Sequence, residues 1–114
     1  MTNEEKQAYT EYMKRYAMLY QVKEGRKAVW EEWCAERDTT ERFDAVQTLR
    51  DKRIIVELAL AQKLEGKEYV IIYREGEMEE GKEPFTNDSE LTLMISECLL
   101  KISDSRLLYH LRAD

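Results

Sequence analysis

The chain has 114 residues, 43% hydrophobic and 37% charged, with a formal net charge of −6 at neutral pH. That length makes one domain with room for a core. The acidity argues against direct contact with nucleic acid or an anionic membrane surface, and no apolar run approaches the ~18 residues of a membrane span. The amino terminus is polar and lacks the pattern of a signal or transit peptide, so the sequence reads as that of a cytoplasmic protein. Cys34 and Cys98 then read as reduced thiols packed in helices.

The first predicted element is helical and runs from Asn3 to about Arg37. Thr2 and Glu5 have the spacing of a capping box. Tyr9, Tyr12, Met13, Tyr16, Leu19 and Tyr20 follow at steps of three and four, which places them on one helical face. Val22, Val29, Trp30 and Trp33 extend that face, and Gly25 marks a kink or a break in it. A second helix is predicted from about Thr40 to Glu65, with Phe43, Val46, Leu49, Ile54, Leu58 and Ala61 as its apolar stripe and Gly66 as its stop.

Tyr69-Val70-Ile71-Ile72-Tyr73 is β-branched and aromatic and reads as a short strand. The residues after it hold two Gly and the only Pro and read as an exposed acidic loop at about 74–90. Asn87 and Glu90 repeat the capping-box spacing ahead of Leu91, Met94, Ile95, Cys98, Leu99 and Ile102, a last amphipathic helix. Residues 106–111 are either a terminal helix or a second strand paired with 69–73. The expected fold is a mainly α single domain over 1–114, with three or four helices and at most a minor two-stranded β element.

Chemistry-bearing patterns are sparse. Cys34 or Cys98 with His110 lacks an orienting group and an oxyanion site. No phosphate-binding glycine loop occurs. Glu41, Asp44 and Asp51 share a predicted helix face, but a hard cation needs more oxygen ligands than this single Glu-x-x-Asp pair offers. The basic cluster Arg42, Arg50, Lys52 and Arg53 is interleaved with acids and reads as a solvated helix face. The sequence therefore points to no catalytic residue, no metal and no cofactor.

Charge is the most directional feature. Residues 69–90 hold seven acids and two bases, and the remainder of the chain is nearly balanced. The expected function is that of a non-enzymatic protein-binding module with the general profile of small phage- or mobile-element-type inhibitors. It would dock an acidic surface on a basic, nucleic-acid-binding face of a partner protein. Tyr73, Glu75, Glu77, Met78, Glu79, Glu80, Glu83 and Phe85 are the expected contact residues. Tyr9, Tyr12, Tyr16, Tyr20 and Trp30 form either core or a face for a partner, including a second copy in a homodimer. Two alternatives stand beside this reading: a metal-dependent all-α nucleotide hydrolase using the helix carboxylates, and a structural homo-oligomer.

Overall fold

The computed structural model describes residues 14–77, 88–109, 111 and 113. The elements in chain order are β1 (Lys14–Val22), α1 (Lys27–Asp38), α2 (Arg42–Asp51), β2 (Ile54–Leu64), β3 (Lys67–Gly76), α3 (Ser89–Cys98) and β4 (Leu99–Asp104). The strands form one sheet in the order β2-β3-β1-β4, with every neighbouring pair antiparallel. β1 and β2 thus run parallel with β3 between them, joined through α1 and α2. β3 and β4 run parallel with β1 between them, joined through α3. The fold is two interleaved split β-α-β units.

This overturns the mainly α expectation. Strand accounts for 41% of the described residues and helix for 36%, so the sheet is the dominant element. Over its described residues, the supposed first helix is strand β1 followed by α1. Tyr16 and Tyr20 are four residues apart, a spacing that serves a helix but is also a multiple of two. In the structure Met18 and Tyr20 are buried and Tyr16 and Val22 pack against the same core, which is strand alternation. Gly25 does not kink a helix. It holds a positive φ of 78° in the turn between β1 and α1.

The supposed second helix splits in the same way, into α2 and β2. Its Leu-Ala-Leu-Ala-Gln-Lys-Leu run favours helix by intrinsic propensity, and pairing along β3 overrides that preference. Gly66 is not a helix stop. Glu65 and Gly66 both have positive φ (53° and 78°) between the paired Leu64 and Lys67, the two-residue type I′ hairpin turn that matches strand twist. The predicted strand at 69–73 is present and longer, as β3. Its partners are β1 and β2, and the described residues after β4 carry no regular structure. The last helix ends at Cys98 and passes directly into β4, because Leu99 turns to an extended conformation. The acidic stretch begins as strand and ends at the α3 cap. Residues 78–87, with Met78, Glu79, Glu80, Glu83 and Phe85, lie outside the described residues, as do Tyr9 and Tyr12.

All helix-side core residues face one side of the sheet. Met18, Tyr20, Val70, Ile72 and Leu99 from the strands meet Trp30 of α1 and Leu91 and Cys98 of α3. Among the described residues no helix is long and apolar enough to cross a membrane.

Glu65 is a non-glycine residue held at positive φ, a conformation that Asn tolerates better. Glu65→Asn is expected to stabilise the fold by about 0.5 kcal/mol, raising Tm by roughly 2 °C in a calorimetric scan.

Candidate functional site: a cleft over a buried charge network

The register of β2 is set by a local irregularity. Ile54 faces Gly76 and Val56 faces Glu75, so Ile55 is an extra residue in β2. Gly76 permits this closure: a Cβ there would meet the Arg53 carbonyl oxygen at 2.6 Å and Ile54 Cα at 2.7 Å. Beyond the bulge, Glu57 lies opposite Arg74, Ala59 opposite Ile72 and Ala61 opposite Val70. The bulge therefore turns Glu57, not Leu58, toward the helices.

Glu57 meets a deeply buried arginine there. The Arg74 side chain is 1% exposed, and its Nε donates to Glu57 Oε1 at 2.9 Å. Its Nη2 lies 3.3 Å from Asp88 Oδ2. Arg37 of α1 closes the ring: its Nε donates to Glu57 Oε2 at 2.9 Å and its Nη2 to Asp88 Oδ2 at 3.1 Å. Two guanidinium groups and two carboxylates thus alternate around a closed square, with all charge compensated and hydrogen-bonded. Burial acts to lower the Arg37 pKa, but Glu57 and then Asp88 outweigh it and hold it above its ordinary value. Asp88 does a second job, because its Oδ1 accepts the Leu91 N–H at 3.1 Å and so caps α3. The cap is Asp88, one residue beyond the predicted Asn87.

Next to this network lies a cleft of about 610 Å³ bounded by α1, α2 and β2. Trp30, Trp33, Leu49 and Ile72 supply apolar wall, and Arg37, Glu57 and the Asp38–Arg42 pair supply polar groups. The Trp30 and Trp33 rings lie 5.3 Å apart, and the Arg37 guanidinium sits 5.1 Å over Trp33. Trp33 Nε1 is itself fixed by donation to Glu90 at 2.9 Å. The outer wall is α2, which buries no residue and lines the cleft with half-buried Ala45, Val46 and Leu49 and exposed Arg42. A smaller recess of about 170 Å³ continues over the small side chains Ala59 and Ala61, on the other flank of Trp30 and Cys34.

Cys34 lines both spaces. Burial pushes its thiol pKa up to about 11, against the opposing pull of Arg37. Both cysteines are free, and Cys98 in the core is likewise raised by burial. Glu41 precedes α2 and Asp44 lies in its first turn, both exposed. Among the described residues no group of three or more His, Cys, Asp or Glu is placed to hold a metal ion.

The other sequence-predicted site residues are scattered by the fold. Tyr20 and Trp30 are core residues at 4% exposure, and Tyr16 packs beside them with its hydroxyl donating to Asp104. Tyr73 and Glu75 lie on the opposite, helix-free face of β3. Burial and then Glu75 raise the Tyr73 pKa, and its hydroxyl donates to Glu75 at 3.1 Å. Glu75 also pairs with Arg15 at 3.2 Å, and Glu77 with Arg53 at 3.0 Å. With Asp88 in the network, three acids of the charge-rich stretch take cations from distant parts of the chain. Arg37, Glu57 and Arg74 were not singled out by the sequence reading. One signal was present: Arg74 keeps the alternation of Val70 and Ile72 and so falls on their buried face.

Fold and site together define an antiparallel α/β sandwich of the ferredoxin-like topology, with a cleft between its first helical connection and an edge strand. Within that class, residues 13–106 match the family model described as "Family of unknown function (DUF6176)", and the chain belongs to that family. No curated protein and no solved structure matches it.

Arg74→Met leaves the buried Asp88 and the half-buried Glu57 sharing one arginine and is expected to cost about 3 kcal/mol, read as a lower urea midpoint at unchanged slope. Cys34 is expected to react with iodoacetamide about 100-fold more slowly at pH 8 than a thiol of pKa 9.0, because the shift to about 11 removes that share of thiolate. The rate should climb about tenfold per pH unit toward pH 11, as followed by peptide mass spectrometry.

Proposed function

We propose that this protein is a binding domain for a small, largely apolar or aromatic molecule carrying one anionic or carbonyl group, held in the cleft between α1, α2 and β2. The observation that carries the reading is the combination of wall and floor. A space of about 610 Å³ falls in the range of small-molecule sites, and it is lined by indole and aliphatic groups with a few convergent polar ones. Among the described residues, Arg37 engages Glu57 and Asp88 through Nε and Nη2, while no hydrogen bond uses its Nη1. That leaves one donor of a rigidly held cation for an acceptor on a ligand stacked against Trp33. The shallow anchoring of α2 supports entry, because a wall with no buried residue moves at low cost.

The test is a titration with 8-anilino-1-naphthalenesulfonate, an aromatic anion, alongside the uncharged N-phenyl-1-naphthylamine. Both are expected to give saturable fluorescence enhancement on the folded protein. Ala45→Trp, which fills the cleft from the α2 wall, should abolish it, and Phe43→Ala, on an exposed position of the same helix, should not. Arg37→Gln should weaken the sulfonate about tenfold, the worth of one charge-assisted hydrogen bond of ~1.5 kcal/mol, and leave the uncharged probe nearly unchanged. Enhancement that survives Ala45→Trp intact would remove the cleft as the site.

A further inference from the structure

The face of the sheet away from the helices is one for which the described residues provide no covering layer. Its composition follows from the bulge at Ile55. A regular strand from the buried Ile54 would turn Val56, Leu58 and Leu60 inward. The bulge sends Ala59 and Ala61 to the helix side instead and leaves Leu58 and Leu60 on the open face, 40% and 56% exposed. Ile71 and Leu19, both half-buried, lie between by register on β3 and β1, and Leu100 of β4, opposite Gln21, ends the face at 51% exposure. Leucines face out where alanines face in, which is the reverse of what a monomeric sheet needs.

We infer that this face packs against the same face of a second copy of the chain, as a two-fold, sheet-on-sheet homodimer. Charge selects that occupant. The chain carries −6, yet the ion pair on this face, Arg15–Glu75, is internally neutralised, with side chains 9% and 16% exposed. A basic partner would find nothing to pair with here, whereas two copies of an acidic chain can approach across this face without opposing like charges. Area agrees. Four strands about 4.8 Å apart and about nine residues long at ~3.3 Å each present roughly 600 Å² in plan, and side-chain relief brings this toward the ~800 Å² per partner of a standard interface. A two-fold axis makes one patch complementary to itself, so Leu58, Leu60, Ile71 and Leu100 would meet their equivalents in a layer about 10 Å thick. Leu58 also borders the cleft and Leu60 the neighbouring recess at the β2 edge, while α1 and α2 wall the cleft from the helix side.

The experiment is light scattering after size exclusion, with sedimentation velocity, on the full chain at about 5 and 50 µM. The expected result is a mass of twice 13.6 kDa. Leu60→Glu and Leu100→Glu, at opposite edges of the face, are each expected to halve that mass. Both side chains are exposed in the single chain, so circular dichroism should stay unchanged. Phe43→Glu, 79% exposed on α2, should leave the dimer intact. A monomeric wild-type protein at 50 µM overturns the inference, and so does a dimer that both glutamate variants leave intact, since its interface would then lie elsewhere.

Discussion

The ring of Arg37, Glu57, Arg74 and Asp88 joins four parts of the chain through paired charges: α1, β2, β3 and the start of α3. Two buried charges, Arg74 and Asp88, and two half-buried ones, Arg37 and Glu57, are expensive to desolvate, and they are tolerable only because each finds its opposite with hydrogen-bonding geometry. The ring consequently acts less as a source of net stability than as a condition on assembly. A β2 strand without the bulge would take Glu57 to the other face and cost Arg74 one of its two carboxylate partners in the ring.

That condition reaches both surfaces of the sheet. By demanding Glu57 on the helix side, it brings Ala59 and Ala61 there too, and small side chains under α1 and α2 leave the space that becomes the cleft and its neighbouring recess. By the same parity it turns Leu58 and Leu60 to the open face. A single inserted residue, accommodated at Gly76 because nothing larger than hydrogen fits beside Arg53 and Ile54, therefore shapes the cleft and the proposed dimer surface together.

The acidic character of the chain also changes meaning when the chain folds. Along the sequence, residues 69–90 stand out as a block of uncompensated negative charge. In space, Arg15, Arg53, Arg37 and Arg74 are brought to Glu75, Glu77 and Asp88. Linear charge counting registers neighbours along the chain, whereas Coulomb interactions operate through space, and a sheet of this topology pairs residues tens of positions apart. Among the described residues, Glu75, Glu77 and Asp88 of that block therefore carry intramolecular ion pairs.

What the sequence determined by itself is local: the strand at 69–73, the amphipathic helix that begins near Asp88, the Trp30–Trp33 stripe of α1, and the buried parity of Arg74. These are set by β-branching, capping and nearest-neighbour spacing, which act over a few residues. The identities of β1 and β2 were decided by tertiary structure, since Tyr16 and Tyr20 fit a period of four as well as two, and the Leu-Ala run of β2 prefers helix until β3 supplies its hydrogen bonds. The cleft, the charge ring and the outward-facing leucines were equally illegible beforehand, because each depends on which residues of different strands stand opposite one another, and that register is a property of the assembled sheet.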